Sequence, residues 1–375
     1  MDDGIYKKLA RHLDNLPAGF PPTESGVELR ILRRLFSPEE ARLACHLTLI
    51  PEEAPVIARR AKIPLAETSR RLEEMALKGL IFNMTPNGRP TLYMASQYVI
   101  GIWEYHVNDL SPELINDMNE YLPTLMDAKV WQKAPQLRTI PVNRSIEAKL
   151  EVLPYEKAEE LIDSQKKLLV APCICRRERS VMGEGCDKPE EACLIFGKAA
   201  EYYQRNGLGR LIENQEALDI LKKADEAGLV LQPGNAQRVA NICCCCGCCC
   251  AVLRTLKEYP RPAGLVSSPF YAALNRDDCQ GCGKCIERCQ MDALRLEDDK
   301  ASLDADRCIG CGLCVTTCPT GALTLERKPD SEQPKVPRNL FEAATKLGRE
   351  RGKLGPFRIA QMTLKSKFDR LMALR

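Results

Sequence analysis

Histidine is scarce in this sequence of 375 residues: only His12, His46 and His106 are present. All three precede residue 107, so a Cys–His or Ser–His arrangement involving the later, cysteine-rich part is not expected. No G-x-G-x-x-G fingerprint and no GxxxxGK[ST] loop occurs, so no dinucleotide or triphosphate site announces itself. No apolar run reaches 18 residues, and no transmembrane span is expected. The opening MDDGIYKKLARHLDNL has no apolar core of a secretory leader, which argues against a secreted disulfide scaffold. One-sided charge is missing as well. Against 54 Lys and Arg stand 51 Asp and Glu, a net of +3. The imbalance is local: residues 327–375 carry +8, so the preceding body is mildly acidic at −5.

What the sequence has in excess is cysteine. Of twenty, nineteen lie between Cys173 and Cys318. Without a leader they read as reduced thiolates holding metal in a reducing cytoplasm.

The length and a 45% hydrophobic content allow two or three packed domains. The pattern predicts an α+β multidomain chain. Residues 1–25, which include LPAGFPPTESG, are a Pro/Gly-rich lead-in with little helix potential. Residues 26–110 space their apolar residues at three and four through 27–36 and 39–48, with Ser37-Pro38 restarting the helix. A short helix at 54–61 and another at 65–78 follow. Two short strands at 81–84 and 91–94 are joined by Asn87-Gly88, a hairpin signal. That order is the order of a winged helix-turn-helix domain. Its second helix is electrically neutral over 64–80, where Arg70, Arg71 and Lys78 face Glu67, Glu73 and Glu74. This disfavours DNA as a partner and favours protein contact, including a homodimer. His46 and His106 read as ordinary structural histidines, and Cys45 as a small core residue.

Residues 111–262 are expected to form a mainly helical, cysteine-rich middle domain, with helices near 112–121, 156–165, 194–206 and 215–227 and short strands near 138–142 and 168–172. Within it, Cys173, Cys175, Cys186 and Cys193 form C-x-C-x₁₀-C-x₆-C in a charged loop. They could hold a third iron–sulfur cluster or a zinc ion. The run CCCCGCCC at 243–250 cannot serve one metal, because neighbouring side chains diverge. A subset could complete a centre with the Cys173 group or form a redox-active dithiol.

Residues 270–326 repeat themselves at about 29 residues: DCQGCGKCIERC, then RCIGCGLCVTTCP. Each half is C-x₂-C-x₂-C-x₃-C, the spacing of bacterial two-cluster ferredoxins. Residues 327–375 close the chain as a linker and a basic amphipathic helix, with Phe357, Ala360, Leu364, Phe368 and Leu371 at helical spacing. It could meet an acidic partner, rest on an anionic membrane surface, or fold back on the body.

The repeat resembles the bacterial two-cluster [4Fe–4S] ferredoxins closely. That resemblance implies that Cys279, Cys282, Cys285 and Cys318 hold one cluster, and Cys308, Cys311, Cys314 and Cys289 the other. Gln290 departs from the pattern, standing where proline often follows the fourth cysteine. Cys245-Cys246-Gly247 resembles one CCG copy of heterodisulfide reductase subunits, but the second copy at that family's spacing is not apparent. Through residues 171–178, 185–189, 193–197 and 243–250, the chain resembles a family of 4Fe–4S binding proteins of anaerobic bacteria. That implies electron transfer between redox partners. The rival expectations are a redox-responsive winged-helix regulator and the iron–sulfur subunit of a reductase.

Overall fold

Ser37 restarts the helix where its sequence predicts in the computed structural model, which describes residues 3–373. Its hydroxyl accepts from the Glu40 N–H at 3.2 Å, and the Glu40 carboxylate accepts from the Ser37 N–H at 2.8 Å. This capping box satisfies two N–H groups that the helix Pro38–Ala44 would otherwise strand. Strand β1 (Glu52–Glu53) follows, then helices Ala54–Ala61 and Leu65–Leu77, then the hairpin of β2 (Ile81–Met84) and β3 (Leu92–Ala95). The strands form one antiparallel sheet in the order β1-β3-β2. The hairpin turn uses Gly88 at φ +68°, a conformation glycine adopts without strain.

The chain divides into two compact units. The first comprises the chain up to Asp127, Glu201–Leu208, and the chain from Ala344. In it, the helix Leu65–Leu77 buries Thr68, Leu72, Met75 and Ala76. Its Arg70 and Arg71 are tied to Glu74 and Glu67 one turn away, at 2.7 and 2.6 Å. The C-terminal helix Pro356–Ala373 lies against Ala54–Ala61 through its polar side. Ser366 donates to Glu52 at 2.6 Å, and Arg60 binds both Glu52 (2.7 Å) and Asp369 (2.9 Å). Phe357, Leu364, Phe368 and Leu371 on this helix stay exposed.

The second unit spans Ala128–Ala200 and Gly209–Ala343. Its larger part is built on an antiparallel sheet of five strands: β4 (Leu168–Pro172), β5 (Glu191–Phe196), β6 (Arg210–Ile212), β7 (Val230–Pro233) and β8 (Asn241–Cys245), in the order β6-β4-β5-β8-β7. This corrects the expectation of a mainly helical middle domain. Predicted helices appear at Ala158–Asp163 and Asn214–Glu226, the latter against β4, β5 and the former, while the helix Gly197–Arg205 is divided between the two units. β5, β7 and β8 are short apolar runs without polar alternation, which periodicity cannot distinguish from buried helix. The cysteines of β8 are small apolar residues in a central strand. Residues 138–142 make only isolated bridges, including Ile140 to Leu231.

The last part of this unit carries β9 (Phe270–Leu274), β10 (Leu294–Glu297), β11 (Lys300–Leu303) and β12 (Leu323–Arg327), paired as β9 with β12 and β10 with β11. Ala272, Leu294, Ala301 and Leu323 form its small core together with Cys285 and Cys314.

Candidate iron–sulfur centres

The eight cysteines of the repeat line two hollows of equal size, about 370 Å³ each including their mouths. Cys279, Cys282, Cys285 and Cys318 face one, and Cys289, Cys308, Cys311 and Cys314 face the other. Each hollow therefore takes three thiols from one half of the repeat and the fourth from the other half. The C-x₂-C-x₂-C segments wind tightly because Gly281 and Gly310 take φ near +67°. A Cβ at Gly281 would overlap the Asp299 carbonyl, and one at Gly310 the Phe270 carbonyl. Backbone N–H groups point at the sulfurs: Gly281 and Ala301 at Cys279 (3.4 and 3.3 Å), Ala272 at Cys308 (3.4 Å) and Ala293 at Cys289 (3.3 Å). Such bonds stabilise thiolate sulfur and help to set cluster potentials.

Burial works in the opposite direction. It pushes the Cys311 thiol up to about 12, and the Cys314 thiol well above its ordinary value. At Cys318 burial also opposes ionisation. The Thr320 hydroxyl and the N–H groups of Leu323, Thr320 and Ala322 outweigh it and hold the thiol below its ordinary value. Soft donors buried with N–H groups aimed at them fit a [4Fe–4S] cluster in each hollow, and thiols that must lose protons make loading pH-dependent.

The middle cysteines separate into two groups, and the division cuts across the sequence expectation. Cys173 follows β4, Cys175 lies on the helix Ile174–Val181, and Cys193 in β5 stands opposite Cys243 in β8. Side-chain contacts run from Cys173 to Cys175, Cys250, Cys245, Cys243 and Cys193 in turn. Cys243 and Cys250 each face two thiol donors, which hold them below their ordinary values. Strand alternation puts Cys243 and Cys245 on one face and Cys244 on the other. Cys244 is buried, and its carbonyl accepts from both terminal nitrogens of Arg176 at 3.1 Å.

Cys186 does not join Cys173, Cys175 and Cys193. It stands with Cys246, Cys248 and Cys249, the four sulfurs lying within 4.8 Å of one another. Spacing alone groups Cys186 with Cys173, Cys175 and Cys193, but the chain leaves β8 after Cys245 and turns, with the Cys250 N–H bonded to the Cys246 carbonyl at 3.0 Å. The glycine inside the run was the available signal for that turn.

The two cysteine-rich parts of this unit meet at Gln290, next to Cys289. The Gln290 Oε1 accepts from the Gly247 N–H at 2.7 Å, and the Gln290 carbonyl sits where a Gly247 Cβ would be. Proline at 290 could not make the side-chain bond. Arg288 adds a pair to Asp225 at 2.9 Å, and the Val142 N–H donates to the Cys311 carbonyl at 3.0 Å.

No helix is long and apolar enough to cross a membrane among the described residues. No curated protein and no solved structure matches the chain. The family model of the 4Fe-4S dicluster domain matches residues 272–325, and the chain carries such a domain there.

Proposed function

We propose that this protein relays electrons through two [4Fe–4S] clusters between redox partner proteins of anaerobic metabolism, in a reducing cytoplasm, with the thiol-rich 173–250 region as a further station. The reading rests above all on the Gln290–Gly247 bond. One residue from a thiol of the second hollow, a buried hydrogen bond leads into the cysteine run. Each cluster, when bound, takes up and releases one electron. The chain holds its thiols in place, aims N–H groups at the sulfur and keeps the second hollow largely away from water. Six thiols around Cys243 and Cys250 offer the donor set for a third centre.

The helix–helix–hairpin order and the β1-β3-β2 sheet favour a winged helix at 26–110. Its Arg70 and Arg71 are already bound to Glu74 and Glu67, so we assign it to protein contact rather than to phosphate. The regulator reading would need duplex DNA to be retained at low salt and released on oxidation.

The test of the relay is an anaerobic reductive titration followed by electron paramagnetic resonance. Cys282→Ser and Cys311→Ser are each expected to remove about half of the reduced [4Fe–4S] signal. Full signals in both variants would sink the assignment of those hollows.

A further inference from the structure

The two cysteine arrays differ in scale, and the scale decides what each can hold. A tetrahedral ion with metal–thiolate bonds of about 2.3 Å sets its four sulfurs about 3.8 Å apart. A cubane places a separate iron under each thiolate and spreads them much further. Cys186, Cys246, Cys248 and Cys249 keep all their sulfurs within 4.8 Å, with Cys186 to Cys249 at 3.5 Å and Cys248 to Cys249 at 3.8 Å. Among the described residues neither set of four ferredoxin cysteines closes to that degree. We propose that these four cysteines bind a single thiophilic divalent ion, zinc or ferrous iron, in a closed tetrahedral site distinct from every iron–sulfur cluster of the chain.

The surroundings suit such a site. Cys246-Gly247-Cys248-Cys249 is a C-x-x-C turn whose Cys249 N–H bonds the Cys246 sulfur. Cys246 and Cys249 are buried, while Cys248 is exposed and gives the ion a way in. Four thiolates around a divalent ion leave two negative charges. The Arg176 guanidinium, 3.7 Å from the Cys246 sulfur and itself buried, offsets part of that charge. The site joins the loop before β5 to the turn after β8. Gly247, inside that turn, is the residue that Gln290 meets. The ion thus fixes the surface on which the dicluster domain rests.

The experiment is elemental analysis with acid-labile sulfide on the full chain, prepared anaerobically, beside the double variant Cys186→Ser/Cys249→Ser. The variant is expected to lose one equivalent of metal, with sulfide and the [4Fe–4S] resonance unchanged, and the element lost distinguishes zinc from iron. Loss of no metal, or loss of iron and sulfide together in equal numbers, overturns the proposal. Because the variant could misfold, cobalt titrated into the chelator-treated wild type gives a second measurement. The strong visible bands of tetrahedral tetrathiolate cobalt are expected at one equivalent, and their absence overturns the proposal equally.

Discussion

Gln290 and Gly247 show how much a single pair of residues carries. The glutamine looks like a lapse in a ferredoxin pattern, and the glycine looks like an interruption in a cysteine run. In the structure each explains the other. A methyl group at 247 would overlap the Gln290 carbonyl, a backbone atom that cannot swing aside. Gly247→Ala is expected to cost about 1–3 kcal/mol, as overfilling of a packed contact does. Chemical denaturation would show it, with both [4Fe–4S] resonances intact in the native state. Gln290→Leu is expected to leave the iron content unchanged and cost about 1–3 kcal/mol by stranding the Gly247 N–H. If neither variant changes stability, the contact is incidental and the relay loses its supporting observation.

Single elements add their own liabilities. The helix Asp3–Asp14 carries the half-buried His12, whose buried Nε2 has no hydrogen-bond partner among the described residues. Burial lowers its pKa to about 4, with repulsion from His46 and Arg358 adding to the effect, although a bond to the Leu47 backbone raises it. Above about pH 6.5 this histidine is neutral both folded and unfolded, and its contribution is constant. Below that, the unfolded chain binds a proton that the folded chain refuses. Stability should therefore fall as pH drops from about 6.5 to 4, by about 2–3 kcal/mol. His12→Phe should flatten that limb of a pH–denaturation series. At the other end of the chain, Glu52 is buried beneath the C-terminal helix, bound to Arg60 and Ser366. Glu52→Ala leaves the largely buried Arg60 with only Asp369 and the His46 carbonyl as partners. It is expected to cost about 3 kcal/mol and to increase proteolysis of the helix Pro356–Ala373. An unchanged proteolysis pattern would mean that other contacts hold that helix.

For the whole molecule, the decisive quantity is how much metal it holds. Two cubane clusters supply about eight iron per chain. A third centre on the six thiols around Cys243 raises that number, and Cys243→Ser/Cys250→Ser should return it to about eight with both dicluster resonances intact. A wild-type chain with only about eight iron and matching sulfide would confine the clusters to residues 272–325. The middle thiols would then act as a dithiol system or as structural metal ligands.

Local order was legible in the sequence over residues 26–95, but not in the lead-in, where the helix Asp3–Asp14 stands against the expectation of little helix potential. The Ser37 cap, the Asn87-Gly88 hairpin and the three helices between them are written in nearest-neighbour chemistry, as is the spacing that winds three ferredoxin thiols around one hollow. The sheet beneath the middle cysteines was not legible, because a buried strand such as NICCC has no polar alternation to betray it. Nor was the partition of those cysteines. Spacing placed Cys186 with Cys173, but β5 and β8 bring Cys193 opposite Cys243, and the turn at Gly247 carries Cys246, Cys248 and Cys249 to Cys186. Sequence fixes which donors exist and which neighbours can share a turn. Which distant thiols meet depends on strand register and on where the chain leaves the sheet, and only the folded chain decides that.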